Sequence, residues 1–249
     1  MANSHAVADN AYSRVFNIFY RVVSDSVLII TGQRNINGAV CYYTDDPEIT
    51  YTIDYGTSLS SCPDRIMRKG KIIATMDTSF RLEGSVARLS FMNYTFVDTP
   101  EDTIKLLGDN NITYLGVEGG IHRTYEHKVM SGTLTIKDSL GSDSMHWEAT
   151  RHVVFFQGMD TPTNFNDDIF SLTGIANGAS TGGSVFASFV TDSLFNYFNC
   201  RWIRQGKIEL ETPGLDIKDG YIKYVGDEEC ISQITYIFNG NEFYDDLDL

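Results

Sequence analysis

The chain has 249 residues, room for one large β domain or two smaller ones and for a substantial core without dense disulfides or metals. Its 33 acidic and 19 basic residues give a net charge of -14, which repels a phosphate backbone and argues against nucleic acid and anionic membrane surfaces as partners. No apolar run approaches the roughly eighteen residues of a membrane-spanning helix.

The opening MANSHAVADN lacks a basic stretch followed by an apolar one, so an export signal is expected to have been removed, and residues 1–10 read as a tag-like or disordered leader. Residues 11–249 then form a single large domain, with possible halves at 11–157 and 168–249. In AYSRVFNIFYRVV, Ala11, Val15, Ile18, Phe19 and Val22 recur at helical spacing and predict one amphipathic helix packed against a sheet.

After Gly38 the pattern changes to short alternating runs. EITYTIDY places Ile49, Tyr51, Ile53 and Tyr55 on one face and Thr50, Thr52 and Asp54 on the other, a strand with one wet side. KIIATM, SVARLSFMNYTFV and NITYLGV continue the series. GIHRTYEHKVM and SGTLTIKD suggest a hairpin around Ser131-Gly132, and TPEDTIKLLGDNN (99–111) suggests a helical turn. SMHWEATRHVVFF, DDIFSLTGIANG, GSVFASFVTDSLF, CRWIRQGKIELE, GYIKYVG and CISQITYIFNG follow. The segment 157–167 has loop chemistry, and YDDLDL reads as a frayed end or edge strand. Strands in sequence with no long helical crossovers imply antiparallel pairing. The expected fold is all-β: an antiparallel β-sandwich or open barrel of about a dozen strands, with one N-terminal helix.

Two stretches nearly repeat: CPDRIMRKGKIIATM from Cys62 and CRWIRQGKIELET from Cys200. Each half also holds a Tyr/Ile strand ending in Gly (YTIDYG, YIKYVG) and a further cysteine. The four cysteines lack zinc spacing and fit two disulfides in an oxidising compartment; four buried thiols are the plainer alternative. The repeat favours Cys41 with Cys62 and Cys200 with Cys230, while Cys41–Cys200 with Cys62–Cys230 stays open. The basic residues Arg65, Arg68, Lys69, Lys71, Arg201 and Lys207, with Arg204, are candidate contacts for an anionic partner.

Catalytic signals are sparse. His146, Glu148 and His152 share one strand face near His122 and His127, but a solvated polar face explains them better than a metal site. Asp45-Asp46, Asp167-Asp168, Glu228-Glu229 and Asp245-Asp246 read as turn residues rather than an acid pair. No Gly-x-Ser-x-Gly occurs, and GASTGGS lacks a P-loop lysine. Trp147 and Trp202 fall on apolar strand parities and read as core. No enzyme, cofactor or metal is expected.

The segments DTPTNFNDDIFSLTGIANG (160–178), FNCRWIRQGKIEL (198–210), YIKYVGDEEC with ITYIFNGNEF, and YTIDYGTSLSSCPDRIMRKGKIIATM resemble a group of β-rich cell-envelope lipoproteins of Bacteroidetes with unknown function. The resemblance covers most of the chain after residue 45, although no lipid-attachment cysteine stands near the N-terminus. It implies an exported protein at the periplasm or outer-membrane surface and offers no catalytic residues. The expected role is a non-catalytic interaction module or accessory subunit of an envelope assembly, bound to a protein partner. A glycan-binding module and, last, a metal-dependent hydrolase are the alternatives.

Overall fold

The computed structural model describes residues 2–97, 103–137, 141–161, 164–214, 220–226, 230–231 and 233–247. Helix α1 (Ala2–Val23) leads into a short α2 (Ser26–Thr31). Strands β1 (Gln33–Ile36), β2 (Ala39–Thr44), β3 (Ile49–Asp54), β4 (Ser60–Ser61), β5 (Met67–Met76) and β6 (Val86–Val97) follow. The long strands β7 (Thr103–Glu118), β8 (His122–Lys137) and β9 (Ser142–Gln157) form the middle. Then come β10 (Ile169–Ser180), β11 (Val185–Tyr197), β12 (Ile203–Glu211), β13 (Gly220–Val225), β14 (Gln233–Phe238) and β15 (Asn241–Asp246).

All strands belong to one antiparallel sheet in which neighbours in sequence are neighbours in space; only β4 lies off the path, beside β5. β1 and β15 are its two edges, so the sheet is open and not a closed barrel. The sandwich alternative is thereby set aside in favour of a single sheet. β9 pairs with β10 along its length, so the sheet continues across the 157–168 loop. Among the described residues no helix is long and apolar enough to cross a membrane.

Period-two alternation explains the sheet. In β9, Met145, Trp147, Ala149, Val153 and Phe155 face inward, while His146, Glu148, Thr150 and His152 face outward. The inward face meets α1, which is buried without interruption from His5 to Phe16. The leader expected at 1–10 is therefore a correction: Ala2–Asn10 is the first part of the buried helix. Those residues lack an apolar stripe because polar side chains are buried there too, each held by the sheet.

Asp9 accepts two-pronged hydrogen bonds from Arg151 of β9, at 2.7 and 2.9 Å from Nη2 and 3.1 Å from Nε. Trp147 Nε1 donates to His5 Nδ1 at 3.0 Å, which leaves the Nε2 proton pointing at Asp9, 3.5 Å away. Asn10 Oδ1 accepts from the Ile203 amide at 2.7 Å, and Tyr12 donates to the Leu107 carbonyl at 3.0 Å. The Tyr12 ring stacks on Trp147 with centroids 5.0 Å apart. Farther along, Phe16 and Tyr20 meet Tyr125 and Phe170 edge-on.

Two local expectations change. Ser131-Gly132 is a bulge inside β8 and not a hairpin. Ser131 takes φ 51°, the β8–β9 register shifts there, and a Cβ on Gly132 would strike the Trp147 carbonyl and the Tyr12 hydroxyl. The expected turn at 99–111 is strand from Thr103 onward, residues 99–102 lying outside the described residues. Helix α2 escaped the pattern reading, although Asp25 caps its start through the Leu28 amide and Gly32 ends it in the left-handed conformation.

Removing one member of a buried ion pair costs about 3–5 kcal/mol, because the other charge is left alone in a dry interior. Arg151→Ala is expected to lower the unfolding free energy by about that amount, read by urea denaturation; a loss no larger than that of an exposed Lys→Ala control would contradict the buried pair. Burial also holds His5 and His127 well below the ordinary histidine value, at about 4. Both are neutral in the folded chain and bind protons more readily when it unfolds. Stability is therefore full above the ordinary value of 6.5 and is lost as pH falls toward 4, by on the order of 3 kcal/mol per histidine. Urea midpoints measured from pH 7 to pH 4.5 should fall steeply, and more shallowly in His127→Gln.

Candidate functional site

The repeated segments occupy equivalent places. Gly70 in β5 and Gly206 in β12 have φ of 82° and 122°, and each sits at a shift of strand register. A Cβ at either would run into a backbone carbonyl of the adjacent strand, Asn93 or Ser193. In both copies the isoleucine after Gly-Lys pairs with the isoleucine of the Tyr/Ile strand: Ile72 with Ile53, and Ile208 with Ile222. The residue two before each glycine is a buried arginine: Arg68 over the Tyr55 ring, Arg204 over the Tyr197 ring at 4.3 Å. The repeat is thus Arg-x-Gly-Lys-Ile, with arginine inward and lysine outward.

The structure divides the candidate basic residues between the outer face and a cleft. Lys71 lies on the outer face in an ion pair with Asp54 at 2.8 Å. Lys207 sits 3.7 Å above the Tyr221 ring, also outside, and Lys69 is half-exposed. Arg65, Arg68 and Arg201 instead line a cleft of about 780 Å³ between the second half of α1, the β1–β2 turn, the 63–68 turn and the Cys200–Cys230 disulfide. The cysteine ends of the two repeats face one another across it, and α1 adds Arg14 and Arg21.

The described lining holds five arginines and one carboxylate, Asp64. Most guanidinium groups lie on rings: Arg14 and Arg201 over Trp202 at 4.7 and 5.2 Å, and Arg21 between Phe165 and Phe198 at 5.3 and 5.5 Å. Arg68 grips Asp64 with two bonds of 2.7 and 2.6 Å. Burial alone would raise the Asp64 carboxyl; its bonds to Arg68 and the charges around it hold it below the usual range. Arg21 has no ion-pair partner among the described residues, and burial lowers its pKa.

Behind Arg21 lies Asp168, 4% exposed, its pKa raised to about 7 by burial and by Asp167 beside it. The sequence placed this acid in a turn; its neighbours in the long loop gave no hint of burial. Asp167 accepts a hydrogen bond of 2.8 Å from the Thr161 hydroxyl. The Glu228-Glu229 pair lies outside the described residues.

The histidines disperse. His127 is buried against Asn110 at 3.0 Å, His122 contacts the Phe155 carbonyl at 3.1 Å, and exposed His146 pairs with Glu148 at 3.3 Å. Among the described residues no three His, Cys, Asp or Glu side chains are placed to hold a metal. Trp147 and Trp202 are both buried, as their strand parity predicts.

Of the two expected disulfides the structure holds one, Cys200–Cys230, with Cα atoms 5.3 Å apart. Cys41 and Cys62 are a correction: both are free thiols. Each is buried on its own, Cys41 facing the core from β2 and Cys62 packed against Gly38 with Sγ 3.9 Å from the Ser60 carbonyl. Burial pushes the Cys41 thiol up to about 12, so it stays protonated and inert.

Comparison with known proteins finds no family model, no curated protein and no solved structure that matches this chain.

Alkylation of the unfolded, unreduced chain is expected to label two cysteines, and reduction to raise this to four; no labelling before reduction would mean that Cys41 and Cys62 are bonded as well.

Proposed function

We propose that this chain is a non-catalytic binding protein, an interaction module or accessory subunit of an exported, envelope-associated assembly, with the arginine cleft as its contact site. The observation that carries the reading is the gathering of five arginines around one cleft in a chain of net charge -14. Random placement of cations on so acidic a surface would scatter them among carboxylates, as Arg34, Lys71 and Arg88 are scattered. Arg65, exposed at the rim of the cleft, presents a guanidinium fork suited to two-pronged contact with an anionic group. The envelope setting rests on the resemblance of residues 160–178 and 198–210, and the Cys200–Cys230 disulfide is the kind of bond an oxidising compartment sustains. The glycan alternative has no exposed indole behind it, since both tryptophans are buried.

Chemical crosslinking in intact cells tests the role. A discrete adduct is expected for the native chain and for Lys207→Glu, which changes only the outer face, and its loss is expected in the Arg65→Glu/Arg201→Glu double variant. An adduct insensitive to the cleft substitutions would overturn the assignment of this surface.

A further inference from the structure

We propose that the cleft binds a small organic anion, its acid group held by Arg21 and Arg65 and its apolar body lying against Ile18, Val22 and Ile36. This deepens the binding role above by naming the ligand chemistry, and it rests on that reading of the cleft.

Three observations converge. The first is size and shape. A cavity of about 780 Å³ lies within the range of small-molecule sites, roughly 300–1,000 Å³.

The second is charge. Arg21 is half-buried over the rings of Phe165 and Phe198, within range of the charges of Asp64 and Asp168. Arg65 is exposed at the rim, in a turn whose φ of 65° is unusual for a residue with a side chain. Neither has a carboxylate at ion-pair distance among the described residues. Arg68, 2% exposed and part of the same lining, spends both terminal nitrogens on Asp64 while its Nε has no partner. The Arg68 charge is thus answered by Asp64, which leaves Arg21 and Arg65 to meet an anion.

The third is the apolar wall. Ile18 and Ile36 are only partly buried and line the cleft, and the buried Val22 lines it too. An inorganic ion would leave that wall wet. An anion with an aliphatic or aromatic body covers it, and each buried methylene adds about 0.8 kcal/mol. Two oxygens of a carboxylate or of a phosphate match the fork of a guanidinium.

Titration calorimetry on the full chain distinguishes these chemistries with four probes: laurate, phenyl phosphate, inorganic phosphate and dodecanol. Saturable one-site binding is expected for laurate, phenyl phosphate or both, at least tenfold tighter than inorganic phosphate and, where laurate binds, than dodecanol. Which acid binds more tightly identifies the head group. Arg65→Ala and Arg21→Met are each expected to weaken the bound probe at least tenfold, with unchanged circular dichroism and with weaker binding at higher salt. Because Arg65 is exposed, its variant keeps the test informative even if Arg21→Met fails to fold. Four outcomes would overturn the proposal: no saturable binding by either organic anion, dodecanol as tight as laurate, inorganic phosphate as tight as both, or affinities unchanged in Arg65→Ala. A crosslinked adduct that depends on the cleft charges, together with no anion binding, would remove the ligand and leave the partner-binding role. Anion binding without such an adduct would do the reverse.

Discussion

The pair between Asp9 and Arg151 is the interaction on which the arrangement depends, because it ties a polar helix into the concave side of a sheet that would otherwise have nothing to cover it. A sheet with one apolar face must bury that face, and an open sheet cannot do so against itself. Here the cover is α1, and a helix surrounded on all sides has no wet face on which to put polar residues. His5, Asp9, Asn10 and Arg14 are therefore matched, one by one, to Trp147, Arg151, the Ile203 amide and the Arg201 carbonyl. These contacts come from β9, from β12 and from the turn that precedes it. They fix the helix along its axis and about it. A hydrophobic helix in the same place would slide more easily, since apolar contacts are not directional.

The curvature that brings the sheet round the helix comes from bulges, and this explains the near-repeat of Arg-x-Gly-Lys-Ile. Gly70 and Gly206 allow the neighbouring carbonyls to approach where any side chain would block them. At both places the arginine two residues earlier ends up inside, over a tyrosine ring. The repeated motif is first a device for bending a strand. The cleft is its consequence: two bent strands bring their cysteine-bearing turns towards the same end of α1, and Arg65 and Arg201 arrive with them.

Strands such as β3, β5 and β9 were legible because each keeps one wetter face and announces itself by alternation. The antiparallel pairing followed from the absence of long crossovers. The first ten residues were not legible, because a helix buried all round with paired polar groups has no period to read. Ser131-Gly132 carried hairpin chemistry, but a left-handed residue followed by glycine serves a bulge equally well. In the cleft, Arg65, Arg68 and Arg201 were visible as basic residues beside cysteines. Their grouping, and the addition of Arg14 and Arg21 from a helix more than forty residues away in sequence, depends on how the sheet packs on α1 and leaves no local trace. Asp168 was hidden for the same reason: its burial is created by neighbours in space, not by its loop.

The central claim, that α1 from its first turns is the core on which the open sheet packs, is tested most directly by hydrogen exchange of the amides of residues 6–16. The account predicts that they exchange as slowly as those of β8 and β9, and only through global unfolding. Rapid exchange of residues 6–10 while β8 and β9 remain protected would contradict it.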